Sequence, residues 1–517
     1  MKQRAIKTIL IANRGEIAVR IIRTCKELGI RTVAVYSDAD RSMPHVLQAD
    51  EAYRLGPPPS NQSYLLMDRI IEVATAAGAD AVHPGYGFLS ENAVFAERVT
   101  KADLVFIGPD AHSIRAMGDK TEARKLVSAA RVPTVPGTPG AVSSETEAAG
   151  FCKSVGFPVL IKAAAGGGGK GMRVVHNAGE FASAFASAQS EAQSAFGDNR
   201  VYVEKYLEKP RHVEFQILGD RHGTVIHLGE RECSIQRRHQ KLIEETPSVI
   251  VDDDLRQRMG ETAVLAARSV NYHNAGTIEF LVDKDGNFYF LEMNTRLQVE
   301  HPITELRTGI DLVAQQIRIA MGEPLGFKQE DIEFRGHAIE CRICAEDPTN
   351  NFLPSTGTIA HLKPPQGIGI REDRGIDAGG TISVYYDPMI SKLVAWGQTR
   401  NEAINRMKRA LHEYEILGVK TNIPALLFIL NHRKFTAGDF DTHFIQHHYD
   451  VARLPVLSKD QSQAAAIVCA YLESRGHSSE GGTSSLVSDH SWKESTTNSA
   501  MKTRRTWKDQ RTLNQRG

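Results

Sequence analysis

Residues 279–300, EFLVDKDGNFYFLEMNTRLQVE, constrain the fold of this chain more than any other stretch. Two apolar runs, 277–282 and 288–293, flank Asp285-Gly286. Asp-Gly between such runs is the strongest short hairpin signal, because a type I′ turn needs φ > 0 at both central positions. A two-residue turn there sets Lys284 opposite Asn287 and, counting outward, Glu279 opposite Glu292. Facing carboxylates repel across a sheet, so the pairing implies a cation between them. Hard oxygen donors favour Mg²⁺, with phosphate and water completing its shell. Beyond Glu292 the alternation continues, placing Asn294, Arg296, Gln298 and Glu300 on one side. The other reading is an exposed strand face with ordinary solvated charge.

At 517 residues the chain is too long for one core, and two to four domains are expected. Lys+Arg and Asp+Glu both number 62. That balance argues against a dedicated nucleic-acid binder or a polybasic membrane protein. No apolar run approaches the roughly 20 residues that span a bilayer. The start, MKQRAIKTILIANRGE, is too short in its apolar part for a signal peptide and reads as a first strand. Six cysteines suggest no disulfide framework, and a reduced, cytoplasmic protein fits best. Cys341 and Cys344 fall in a strand pattern that points them to opposite faces, against a zinc site.

Residues 7–12 read as a buried strand. Ile17, Ile21, Cys25 and Leu28 then recur at helical spacing before Gly29, and 32–36 is the next strand. This is a βαβ unit of a parallel sheet. Its first turn, Asn13-Arg14-Gly15-Glu16, lacks G-x-G-x-x-G, so dinucleotide binding is not expected. AVHPGYGFLSEN (81–92) leaves a strand at the carboxyl edge, where ligand clefts form, and brings Tyr86 and Glu91 near one. A tight turn capped by an aromatic explains it equally well.

Residues 104–108 form a further strand, and a helix opens at Asp119-Lys120. Pro133, Pro136, Gly137 and Pro139 mark a boundary. Strand 157–162 ends in Lys162 and runs into the glycines of 166–171. That run matches G-x-G-x-x-G only trivially, and it fails the Walker pattern at Ala164 and Gly171. It reads as a mobile phosphate-covering loop rich in free N–H groups, or as a plain flexible linker. Strands follow at 201–207, 211–218 and 225–228. Residues 231–245 are dense in donors (Gln236, Arg237, Arg238, His239, Lys241) that either supply countercharge to the glutamates or form a solvated face. Strands at 336–343, 357–361 and 381–394 and a helix at 402–417 make a third region. A short helix near 463–472 precedes a polar, finally basic tail that reads as disordered.

The strings IANRGEIAVRII, HPGYGFLSEN, IKAAAGGGGKGMRVV, EKYLEKPRHVE, RECSIQRRHQKLIEE, FLEMNTRLQVEHPITE, GHAIECRICAED and YYDPMISKL, in that order, resemble the biotin carboxylase family of ATP-grasp ligases. The resemblance runs from about Lys7 to His448. It implies an α/β fold, α+β in parts. A Rossmann-like N-terminal domain (1–115) would precede an ATP-grasp domain (116–333) with a mobile lid at about 133–206. A C-terminal domain (334–450) and an extension (451–517) would follow.

The resemblance also assigns roles. Lys120, Lys162, His212 and His239 would contact ATP, with Gly168 and Gly169 over its phosphates. Glu204, Lys205, Tyr206, Leu207, Gln236 and Leu281 would hold the adenine. Glu279, Glu292 and Asn294 would bind Mg²⁺ or Mn²⁺, two ions in all. Lys241, Arg296, Gln298 and Val299 would hold bicarbonate, while Tyr86, Arg296 and Arg342 would meet biotin. Glu300 would deprotonate bicarbonate for attack on the γ-phosphate. Carboxyphosphate would then decompose, its phosphate taking the biotin N1′ proton while Arg342 stabilises the enolate.

Ala500-Met501-Lys502-Thr503 lacks the final Met of a biotinylation string and has no strands around it. The biotin carrier is therefore expected on a separate chain, with a separate carboxyltransferase choosing the acceptor: acetyl-CoA for fatty acid biosynthesis, or pyruvate, propionyl-CoA or methylcrotonyl-CoA. The family suggests a homodimer. Other ATP-grasp ligases share the lysine, loop and metal carboxylates but have no use for Arg296–Glu300 and Arg342. A non-catalytic nucleotide-binding subunit would lack Glu279, Glu292 or Lys241.

Overall fold

The computed structural model describes residues 4–454 except Pro139, 164–171 and Gly197, together with isolated positions between 463 and 470. Gly168, Gly169, the side chain of Lys120, the 500–503 string, the tail and most of the helix expected at 463–472 lie outside the described residues.

Strands β1 (Thr8–Ile11), β2 (Arg31–Ser37), β3 (Glu51–Gly56), β4 (Ala81–His83) and β5 (Val105–Phe106) form a parallel sheet in the order β3-β2-β1-β4-β5. β1, TILI, is buried throughout, as a strand covered on both faces requires. Helix α1 (Gly15–Glu27) follows it, burying Ile17, Ala18, Ile21, Ile22 and Cys25. At the carboxyl edge the Asn13 Nδ2 donates to the carbonyls of Pro84 and Tyr86, both at 2.7 Å, tying the two turns of the edge together.

A smaller antiparallel sheet, order β7-β6-β8, contains β6 (Val159–Ala163), β7 (Arg173–Val175) and β8 (Val201–Lys205). Helices Glu145–Val155 and Ala178–Phe196 cover it, and Phe181, Phe185, Val159, Ile161 and Val203 share a separate core.

The largest sheet has eight antiparallel strands. β9 (Arg211–Gly219), β10 (Val225–Arg237), β11 (Gln240–Thr246), β12 (Asn274–Val282), β13 (Phe288–Asn294) and β14 (His337–Cys344) are joined by strands Ile370–Arg374 and Met389–Gly397. Through the β11–β14 ladder the sheet runs unbroken past residues 333 and 334. Among the described residues no helix is long and apolar enough to cross a membrane.

Several local expectations need correction. The strand at 225–228 continues to Arg237, because the polar residues after it are buried against neighbouring strands. The β12–β13 turn is not the two-residue type. Only Gly286 has positive φ (78°), and Asp283 N donates to Asn287 O at 2.9 Å, so three residues form the loop. A bulge at Leu291 then restores the count, and Glu279 does face Glu292. Two positive φ values in a two-residue turn occur instead at Arg238 (50°) and His239 (67°), between β10 and β11. Residues 295–300 leave the sheet rather than extending β13. The 357–361 strand is two short ones, Gly357–Thr358 and His361–Lys363. The 381–394 strand divides into Thr381–Ile382 and Met389–Gly397 around Pro388, which has no N–H for a ladder. The 402–417 helix ends at Glu413, and Glu415–Leu417 pairs with His361–Lys363 instead.

Candidate functional site

The register of the large sheet builds the site. Across β13, β12, β9 and β10 it aligns Glu292, Glu279, Glu214 and Arg231 in one row. Residues directly opposite in a ladder share a face. Period-2 alternation adds His212 and Gln216 on β9, while Val213, Phe215 and Ile217 enter the core behind. Three carboxylates therefore lie side by side where the sequence pointed to two.

The countercharge comes from 231–245, as expected. The Lys241 Nζ lies 2.6 Å from Glu214, 2.6 Å from Glu300 and 3.2 Å from Glu279. Arg231, wholly buried, donates to Glu214 at 2.5 Å and also to Gln216, Thr277 and Thr304. His212 Nε2 lies 2.9 Å from Glu279. Burial alone would lower the His212 pKa, but the Glu279 carboxylate outweighs it and raises it.

Glu300 stands at the end of the 295–300 segment, 1% exposed, between Lys241 and the Arg342 guanidinium 3.1 Å away. Burial would raise its pKa, but Lys241, Arg342 and Arg231 hold it well below the usual carboxylate range. Glu279 is depressed as well, burial being outweighed by Lys241 and His212. Arg342 on β14 also contacts Glu244 at 2.5 Å, and burial pushes the Glu244 carboxyl up to about 7 against that partner.

Although 295–300 is not a strand, its polar side chains do converge. Arg296 donates to Glu91 (2.7 Å), Gln298 (2.7 Å) and Asn294 (2.9 Å). Gln298 and Asn294 in turn donate to Glu279 at 3.0 and 2.9 Å. Glu279, Glu292 and Asn294 form an oxygen set suited to a hard divalent ion. The Asn294 Oδ1 accepts from Arg296 with one of its two lone pairs. Ligand atoms of His212, Glu214 and Glu279 lie within 4.8 Å of one another, as do those of Glu214, Cys233 and Glu300.

On the smaller sheet Glu204 receives the Lys162 Nζ from the neighbouring strand and the Arg124 Nη1 from helix Lys120–Ala129, each at 2.5 Å. Burial would raise the Glu204 pKa, but these two cations lower it. The Lys205 amine is committed to the backbone carbonyls of Gly156 and Phe157.

A cavity of about 1590 Å³ joins these regions. Every expected site residue whose side chain is described lines it: Tyr86, Lys162, Glu204, Lys205, Tyr206, Leu207, His212, Gln236, His239, Lys241, Glu279, Leu281, Glu292, Asn294, Arg296, Gln298, Val299, Glu300 and Arg342. Glu214, Arg231, Glu244 and Arg124 are site residues that the sequence reading missed. The alternation His212-x-Glu214-x-Gln216 was the available signal: a polar face on a strand long enough to be central. Cys341 and Cys344 are buried free thiols.

Comparison with known proteins accords with this geometry. Residues 5–114, 119–328 and 340–447 match, in turn, the family models for the biotin carboxylase N-terminal domain, the carbamoyl-phosphate synthase L chain ATP-binding domain and the biotin carboxylase C-terminal domain. The chain is 55% identical over 470 residues to a pyruvate carboxylase subunit of Methanothermobacter thermautotrophicus, covering 90% of this chain and 96% of that one. It is 53% identical over 447 residues to biotin carboxylase 1 of Bacillus subtilis, covering 86% and 99%. Among solved structures it resembles the biotin carboxylase domain dimer of Hydrogenobacter thermophilus 2-oxoglutarate carboxylase, in complex with MgADP, ADP and bicarbonate. There the TM-score is 0.81 at 48% identity, covering 88% of this chain and 100% of that one.

Proposed function

This chain belongs to the biotin carboxylase family, and we propose that it carboxylates carrier-bound biotin with bicarbonate and ATP, dividing the work among its residues as follows. The observation that carries the reading is that Lys241, Arg296, Glu300 and Arg342 line one cavity together with Lys162, Glu204 and His239. Anion-binding cations, a proton acceptor and a second guanidinium are what the two half-steps need.

Lys241 and Arg296, with Gln298 and the backbone of Val299, hold bicarbonate beside Glu300. Glu300 is ionised at neutral pH but a weak base while Lys241 and Arg342 face it. An arriving anion draws those cations toward itself and raises the basicity of Glu300, so it can take the bicarbonate proton. The γ-phosphate of ATP is then attacked in line. Lys162, Lys120, His212 and His239 hold the nucleotide, and its adenine lies by Glu204, Lys205, Tyr206, Leu207, Gln236 and Leu281. Two Mg²⁺ or Mn²⁺ ions, held by Glu279, Glu292 and Asn294, would neutralise phosphate charge. Gly168 and Gly169 would cover the phosphates and exclude water, which otherwise wastes carboxyphosphate. Arg342 stabilises the enolate oxygen on the biotin ureido ring with Tyr86 beside it, an oxyanion-hole role.

The biotin comes on a separate carrier protein, and a carboxyltransferase passes the carboxyl group on. The chain acts as a homodimer in the cytoplasm. The acceptor is acetyl-CoA, feeding fatty acid synthesis. The 55% identity to a pyruvate carboxylase subunit favours pyruvate as the second reading.

The test is phosphate release by the purified chain with ATP, Mg²⁺ and bicarbonate, with and without free biotin. Bicarbonate-dependent, biotin-stimulated release is expected. Release stimulated by an amine instead, or indifferent to biotin, would move the reading to another ATP-grasp ligase.

A further inference from the structure

Behind the 298–300 turn lies a buried charge that none of these assignments uses. Lys392, on strand Met389–Gly397, is 0% exposed. Its Nζ donates to the Val299 carbonyl at 2.9 Å and lies 3.2 Å from Glu16 Oε2. Glu16 stands in the first turn of α1 and lines the cavity. It is 3% exposed, and its carboxylate makes no hydrogen bond. The Lys392 ammonium is its ion-pair partner. The close approach depends on Gly375, where an added Cβ would lie 2.4 Å from the Glu16 backbone nitrogen.

The preceding peptide is held the same way. The Gln298 carbonyl can only accept, so the His301 Nδ1 at 2.8 Å donates to it. His301 is wholly buried, and burial keeps its pKa well below the ordinary range, so the ring is neutral. Two consecutive carbonyls, Gln298 and Val299, are therefore bound by side chains that do not line the cavity. In a trans peptide the N–H points opposite its carbonyl, so the Val299 and Glu300 N–H groups are turned the other way, toward the side where the anion is held.

The sheet register explains why a lysine stands there. Lys392 is directly opposite Arg342 on one side and Asp373 on the other. Like charges opposite each other are unfavourable unless carboxylates intervene. Glu16 serves Lys392, Asp373 being taken by Arg371, and Glu244 and Glu300 serve Arg342. Lys392 thus joins three regions at one point: α1 of the first sheet, the 295–300 segment and the far strands of the large sheet.

We propose that Lys392, held by Glu16, is a positioning residue for the bicarbonate step: through the Val299 carbonyl it sets the turn that carries Gln298, Val299 and Glu300. The proposal rests on the bicarbonate reading of that turn. Lys392 touches no substrate; it acts through the peptide.

Lys392→Met removes the donor but leaves Glu16 buried and uncompensated, so the single variant also loses stability. The double variant Glu16→Gln/Lys392→Met removes that orphan charge. In the double variant the thermal midpoint should recover most of the loss, while kcat/KM for bicarbonate stays at least tenfold down and KM for ATP stays within twofold of wild type. A purely structural role predicts that activity recovers with stability. The proposal is overturned if the double variant regains kcat/KM for bicarbonate, or if KM for ATP rises in step with that for bicarbonate. Wild-type protein that releases phosphate without any bicarbonate requirement overturns the underlying reading instead, and this one with it.

Discussion

The two ends of the cavity handle charge differently. At the large-sheet end, Lys241 is 11% exposed and Glu300 1%, and each charge has several fixed partners. At the small-sheet end, one carboxylate, Glu204, is shared by Lys162 and Arg124, which are 33% and 29% exposed. A buried pair is costly to break, because the surviving charge cannot return to water. A pair whose cations reach solvent, here over a carboxylate 13% exposed, is cheaper to exchange. The large sheet therefore presents a preorganised site, whose fixed cations need only shift toward the arriving anion. The small sheet presents a lysine that a phosphate can take from Glu204 at little cost.

Breaking the buried end should do the most harm. Glu300→Gln keeps the shape but removes the proton acceptor, and bicarbonate-dependent phosphate release should fall by about 10²–10⁴-fold. A loss below tenfold would mean that another group takes the proton. Lys241→Met leaves Glu214, Glu279 and Glu300 sharing fewer cations. It should cost about 3–5 kcal/mol in denaturant unfolding, with activity lost as well. If the stability loss is under 1 kcal/mol, the buried end is not the organised cluster described above.

The pH dependence should be intermediate. Burial, opposed by Lys392, pushes Glu16 up to about 7 from an ordinary value of 4.5. The folded state then binds the extra proton between those limits. The stability it contributes is fully present below pH 4.5 and is lost as pH rises through 7. At ~1.4 kcal/mol per unit, Glu16→Gln should gain about 3 kcal/mol relative to wild type between pH 4.5 and 8. A pH-independent difference in unfolding free energy would mean that Glu16 stays ionised beside Lys392.

At the exchangeable end, Glu204→Gln should change least. Freed from its carboxylate, Lys162 should leave stability within about 1 kcal/mol of wild type. KM for ATP should move by less than tenfold, read in the same phosphate assay. An effect as large as that of Lys241→Met would erase the contrast between the two ends.

The legible parts of this fold were those with local causes. The βαβ start, the β9 and β12 strands and the β12–β13 hairpin follow from apolar periodicity and turn residues. Glu279 opposite Glu292 was reached by counting from the wrong turn, and held because the bulge at Leu291 cancels the extra loop residue. The 295–300 segment kept its polar convergence without being a strand, because Glu91, Glu279 and Gln298 draw its side chains inward. Glu214 was overlooked because a glutamate in an alternating strand ordinarily faces water. Here a second layer of polar side chains covers it.

From sequence alone came the chemistry available to this protein: which residues carry carboxylates, guanidiniums and amines, and the local spacings that set several of them on one face. Tertiary structure alone decided which of those charges are buried together. Arg231 beside Glu214, Arg342 between Glu244 and Glu300, and Lys392 against Glu16 are contacts between segments 17 or more residues apart, the last two 42 or more. Periodicity reports a residue's own face and not what packs against it. The strength of a charge in a protein depends on that packing, since the same ion pair is weak in water and strong where water is excluded.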